Sequence, residues 1–238
     1  MKILASVLSA ISAVAITVVC GFAVWRENGW WIFAVGAAAM LALPLSSLLH
    51  ELGHMLFGAV CKIKAVPKFS LFGSSFCRLV PKTDKNLRAR LFVTGMGGVT
   101  VNLAVFVVIF AVAWLTSAPA WILFLAPSNL YLAVLNIIPA ELAGGKTDGL
   151  FCTEILKNDG VAKVTVAVMA VQAQLLNGKQ ISEIDKNLLF NLPQIREDEP
   201  AFISLAELRS EYYRAVGDEE NAALWLSRFE ELKKEYSL

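Results

Sequence analysis

The sequence predicts an all-α membrane protein with about four transmembrane helices, a cytoplasmic β-hairpin loop and a C-terminal soluble helical tail. Three observations carry this reading. Of 238 residues, 57% are apolar and 17% charged, and mean hydropathy is +0.61, too apolar for an ordinary soluble domain. Four apolar runs approach or exceed the roughly 20 residues that a helix needs to cross a bilayer. After Asp148 the chain changes character, and from Glu197 onward it is charged and helix-forming, which divides it into a membrane domain (1–150) and a cytoplasmic tail (151–238). The net charge of +1 gives no general attraction to nucleic acid, so none is expected as a partner; the lipid bilayer is.

The apolar runs cover residues 3–25, 30–60, 90–115 and 120–139. The first is longer than the apolar region of a signal peptide, and Arg26 follows it directly, so it reads as an uncleaved helix. The second exceeds one straight span, and tilt would absorb the excess. Pro44 is expected to kink it by freeing the carbonyl of Met40. Between the second and third runs, residues 61–90 hold eight basic residues (Lys62, Lys64, Lys68, Arg78, Lys82, Lys85, Arg88 and Arg90) and one acid, Asp84. The positive-inside rule places this loop, and with it both termini, in the cytoplasm of a multi-pass cell-membrane protein. The alternation in KIKAV and FSLFGSSFCRLV reads as a β-hairpin turning at GSS, whose edge would suit an extended peptide. An irregular basic loop lying on anionic lipid is the alternative.

In the tail, residues 161–178 are apolar, but Lys163, Gln172 and Gln174 favour an amphipathic helix over a fifth span. Two charged helices follow, separated by Gly217 and Asp218. The spacing of Tyr213, Gly217, Asp218 and Ala222 resembles one tetratricopeptide repeat unit. Such units normally need about three copies to bury their faces, and a plain helical hairpin fits equally well. Either offers a surface for a protein partner. The four cysteines, Cys20, Cys61, Cys77 and Cys152, match no zinc-finger or CxxC spacing and are expected as free thiols.

Within the second run stands HELGH, residues 50–54. Ionisable groups are expensive in a membrane and point by default to function. On a helix, His50 and His54 share a face and can reach one metal ion. Glu51, about a quarter turn away, can address a water that the metal has activated. This is the logic of the H-E-x-x-H zinc proteases, and Gly53 leaves room for another backbone. The protein contains two histidines, and both lie in this motif. One Zn2+ per chain is expected, with a third ligand drawn from Asp, Glu or Cys. The candidates are Asp148, Glu141, Cys152, Glu154, Cys61, Cys77 and Asp84.

Further along, NIIPAELAGGKTDG runs from Asn136 to Gly149, and GGVTVN from Gly97 to Asn102. Over about residues 30–150 these motifs and their order resemble the site-2 protease family, intramembrane zinc metalloproteases with H-E-x-x-H in one helix and N-x-x-P before an Asp-Gly pair in a later one. The resemblance implies that Asp148 is the third ligand. The chain departs from the commonest family pattern, since Asp148 follows Asn136 by twelve residues where the family's Asp-Gly pair comes about eight after its Asn. This leaves Glu141 as a competitor. Asp148 also suits a helix N-cap. Asn102 and Asn136 read either as interhelical glue or as partners for an unwound substrate backbone. Gly95, Gly97 and Gly98 read as close-packing positions.

The resemblance implies a metalloendopeptidase acting on a membrane-spanning segment or hydrophobic peptide near the cytoplasmic face, with Glu51 as general base. Two other readings compete. A transporter or zinc sensor would need ionisable residues spread along its spans, and few are present. An inactive relative that binds a partner through its tail would not need the intact Glu51.

Overall fold

The computed structural model describes residues 32–69, 76–116, 125–142 and 145–235, and side chains of helical residues from 41 onward. The expected first span, the GSS turn and the start of the fourth span lie outside the described residues. What is described is mostly helical: α1 (Ile32–Val60), β1 (Ile63–Lys68), β2 (Phe76–Pro81), α2 (Leu87–Gly95), α3 (Gly97–Leu115), α4 (Leu125–Ile137), β3 (Glu141–Leu142), β4 (Gly145–Lys146), α5 (Asp148–Lys157), α6 (Gly160–Leu176), α7 (Asn187–Phe190), α8 (Pro200–Ala215) and α9 (Glu219–Glu235), with a short 3₁₀ turn at Ile181–Glu183. β1 pairs with β2, as the alternation in the loop anticipates, and β3 pairs antiparallel with β4. Helix α1 continues through Pro44.

The chain forms two compact units. Among the described residues, the first comprises 32–61, 65–69, 76–78, 93–116, 125–142 and 145–153, and the second 62–64, 79–92 and 154–235. In the first, α1, α3 and α4 pack on one another. Its polarity is inverted. Ser46, His50, Glu51, His54, Thr94, Asn102, Ser128 and Asn129 are buried, while Leu45, Leu56, Leu103, Val107, Val108 and Phe110 face outward.

Four spans are expected from the sequence, and the described residues do not support that number. Among the described residues one helical stretch, Leu87–Leu115, is long and apolar enough to cross a membrane, and 17% of its most apolar window is buried inside the protein. The described part of α1 carries Ser46, His50, Glu51 and His54, which lower its hydropathy, and α4 has thirteen described residues.

The second unit has an ordinary core. Val164, Val168 and Val171 recur along one face of α6 and pack with Ile184, Leu189, Leu205, Leu208 and Tyr212. Helices α5 and α6 are long and apolar enough to cross a membrane only taken together, and they are bent by 93° at the break between them. The burial of α6 against α8 matches the amphipathic reading of this segment. The Asp159 side chain caps α6 by accepting from the Ala162 N–H at 2.9 Å. Helices α8 and α9 form the expected hairpin. Gly217 turns with φ +82°, and Asp218 caps α9 through the Asn221 N–H.

Candidate metal centre

Helix α1 presents His50 and His54 on one face, four residues apart, and both are buried. The N-terminus of α5 brings Asp148 to them. The three facing atoms form a small triangle: His50 Nε2 to Asp148 Oδ2 is 2.9 Å, His54 Nε2 to the same oxygen 3.4 Å, and Nε2 to Nε2 3.2 Å. A tetrahedral ion with ligand bonds of about 2.0–2.1 Å spaces its ligands by about 3.3 Å. The triangle is therefore the size of one face of such a site.

The partners behind the rings decide which atoms face inward. His54 Nδ1 donates to the Thr94 carbonyl at 2.9 Å, and His50 Nδ1 donates to Asn102 Oδ1 at 2.6 Å. With the ring proton on Nδ1, each neutral imidazole turns a bare Nε2 lone pair toward Asp148. Asp148 Oδ2 sits within ion-pair distance of both rings, yet it is buried with no hydrogen-bond partner, which is what two Nδ1-protonated rings would leave it. One added proton would satisfy one edge of this triangle. A divalent cation satisfies all three corners at once. His50, His54 and Asp148 thus form a group able to hold a metal ion, and among the described residues it is the group of this kind that the side chains build.

The other third-ligand candidates do not join it. Glu141 pairs in register with Lys146 across β3 and β4. Neither Cys152, whose thiol burial pushes up to about 12, nor Cys77, whose thiol burial and the neighbouring Glu51 carboxylate push up, belongs to the ligand group. The three described cysteines form no disulfide. The expectation that Asp148 is itself the helix cap is corrected. Thr147 takes that place, accepting from the Leu150 N–H at 3.2 Å, and Asp148 begins the helix.

Glu51 is buried beside the centre, and its Oε2 has no hydrogen-bond partner. Its carboxylate is close enough to His54 to act on it electrostatically. The Cys77 thiol donates to its backbone carbonyl at 3.7 Å.

Asn102 differs from its expected role at the substrate. It is fully buried, and both ends of its amide are engaged inside the protein: Oδ1 with His50, Nδ2 with Ser46 O at 3.0 Å and Asn129 Oδ1 at 2.7 Å. Such a group orients a ligand and has no face left for a substrate. Asn136 is half-buried, and its Nδ2 donates to Leu132 O one turn back. The glycines act as close-packing positions. A Cβ on Gly98 would stand 2.5 Å from His50 Nε2, and one on Gly95 2.8 Å from Cys152 Sγ.

Sequence reasoning missed Thr94, Ser46, Ser128 and Asn129. The last three carried a readable signal, since they are polar residues inside apolar runs, the feature that singled out the histidines. Thr94 contributes a backbone carbonyl, which no side-chain pattern marks. Comparison of the chain with protein-family models, curated proteins and solved structures finds no match.

Proposed function

We propose that this chain is an intramembrane zinc metalloendopeptidase of the site-2 type. The observation that carries the reading is the triangle of His50 Nε2, His54 Nε2 and Asp148 Oδ2, with the buried Glu51 carboxylate beside it, whose Oε2 has no hydrogen-bond partner. Zn2+ is the ion chosen, because two imidazoles and one carboxylate with a position left open are a known catalytic zinc set. Held there, the ion would supply Lewis acidity to the scissile carbonyl and acidify the attacking water. Glu51 takes the proton from that water and delivers it to the leaving amine nitrogen. Asn102 and Thr94 hold the rings in place during this exchange. Asn136, whose Oδ1 has no protein partner among the described residues, remains available to a substrate N–H.

The inverted polarity of the first unit supports a membrane location. Exposed leucines, valines and phenylalanines on α1 and α3 suit lipid, and an interior of Ser, Asn, His and Glu is what a membrane bundle hides. The architecture proposed is a multi-pass membrane domain with both termini cytoplasmic, and the cut lies near the cytoplasmic face. The substrate class is a membrane-spanning segment or a hydrophobic peptide.

The test uses the native host lacking this protein, complemented with wild type or Glu51→Gln, and compares membrane peptides by mass spectrometry. A transmembrane fragment that accumulates only with Glu51→Gln is expected and would identify the substrate. Indistinguishable profiles, together with a wild-type protein that binds zinc but cleaves no transmembrane reporter, would leave a metal-binding membrane protein without protease activity.

A further inference from the structure

We propose that Asn129 on α4 is a positioning residue that locks His50 in its metal-binding tautomer, acting through Asn102. The inference rests on the metal-centre part of the proposed function and not on proteolysis.

A neutral imidazole carries one ring proton, and the partner of one nitrogen decides where it sits. His50 Nδ1 faces the amide of Asn102 at 2.6 Å. If that amide presented its NH2 group to His50, Nδ1 would have to accept. The ring proton would move to Nε2 and point into the triangle, where a metal must bind. The orientation of the Asn102 amide therefore determines whether His50 can be a ligand.

Two contacts hold that orientation. Asn102 Nδ2 donates to Ser46 O at 3.0 Å and to Asn129 Oδ1 at 2.7 Å. A backbone carbonyl can only accept, which aims the NH2 away from His50. Asn129 adds the second acceptor, and its own amide is aimed by donation from Nδ2 to Ser46 Oγ at 2.9 Å. Ser46 Oγ lies 2.9 Å from Ser128 Oγ, where its own proton can go. The amide bonds then run in one direction, from His50 to Asn102 to Asn129, and Asn129 donates to Ser46, whose hydroxyl is paired with that of Ser128.

Burial gives this chain its force. Ser46, Asn102 and Asn129 have no exposed surface, so a reversed amide would find no water to satisfy it. A reversed Asn129 would set its NH2 against that of Asn102, two donors face to face. Simple adhesion between helices would not require the acceptors to be ordered in this way.

The experiment compares full-length wild type, Asn129→Leu and Asn129→Asp. Imidazole ¹⁵N NMR on the metal-free protein reads the tautomer. The two histidines of the chain make assignment direct, and His54, held by the Thr94 carbonyl, serves as internal control. Zinc affinity is read by competition with a chelator. Wild-type His50 is expected to carry its proton on Nδ1. Asn129→Leu is expected to mix the His50 tautomers, leave His54 unchanged and weaken zinc binding about 10–100-fold, the usual effect of losing a ligand's outer hydrogen bond. Asn129→Asp keeps the acceptor toward Asn102 and is expected to stay near wild type in both readouts.

The proposal is overturned if wild-type His50 carries its proton on Nε2. It is also overturned if Asn129→Leu changes neither readout, or if Asn129→Asp loses as much affinity as Asn129→Leu. If Asn129→Leu fails to fold, the wild-type tautomer and the Asn129→Asp affinity still decide. A wild type that binds no zinc would sink the metal centre, while the NMR comparison would still judge the tautomer lock.

Discussion

Gly53 and Gly97 bring the backbones of α1 and α3 into contact. A Cβ on Gly53 would stand 2.5 Å from the Gly97 carbonyl oxygen, and a Cβ on Gly97 2.6 Å from that of Gly53. This approach, in the middle of the HELGH turn, places the Thr94 carbonyl and the Asn102 amide within reach of the two rings. Gly53→Ala and Gly97→Ala are expected to push the helices apart, costing about 1–3 kcal/mol each. Thermal unfolding would show the loss of stability, and chelator competition the accompanying loss of zinc affinity. Gly98→Ala acts more directly, because its Cβ would meet the His50 ring itself.

The third ligand can be tested by elimination. Asp148→Ala is expected to lose stoichiometric zinc on metal analysis, while Glu141→Ala keeps it. The reverse pattern would move the ligand to β3.

Glu51→Gln is expected to retain zinc, since Glu51 is not in the ligand group. Cleavage of a transmembrane reporter should fall at least about 10²–10⁴-fold, the usual contribution of a positioned acid–base group. A variant that binds zinc and still cuts would remove Glu51 from its assigned role.

Cys152 offers a reactivity test. Its thiol is pushed up to about 12, chiefly by burial and secondarily by the charge of Asp148. At pH 8 only about one thiol in 10⁴ is ionised, and the thiolate is the species that alkylates. The folded protein should therefore protect Cys152 from iodoacetamide at pH 8, and the protection should fall as pH rises toward 12. Denaturation should restore ordinary reactivity. Peptide mapping after a timed pulse reads both.

Asp159→Ala removes the cap of α6 and should destabilise the second unit by about 1 kcal/mol, leaving zinc binding in place. Thermal unfolding and chelator competition on the same sample would separate the two effects.

Much of the candidate centre is readable in sequence because its first part is local. Three residues within five positions on one helix carry their geometry with them, since 3.6 residues per turn puts His50 and His54 on one side in any setting. The α8–α9 hairpin is readable for a similar reason, as Gly217 and Asp218 mark the turn by their own backbone preferences. The amphipathic character of α6 also follows from spacing, with Val164, Val168 and Val171 one turn apart.

Other features depend on distance through space rather than along the chain. Asp148 and Glu141 are both carboxylates after the same helix, and no propensity separates them. They part because Thr147 starts α5 and sets Asp148 against the rings, while Glu141 stays in the β3–β4 pair, outside the ligand group. Asn102 looked like a substrate contact until helix packing enclosed it and gave both ends of its amide internal partners. The link from Asn129 through Asn102 to His50 joins three helices across 27 and 52 residues of chain. A hydrogen bond needs its partners at about 3 Å with the right lone pair facing, and packing supplies that where residue identity alone does not.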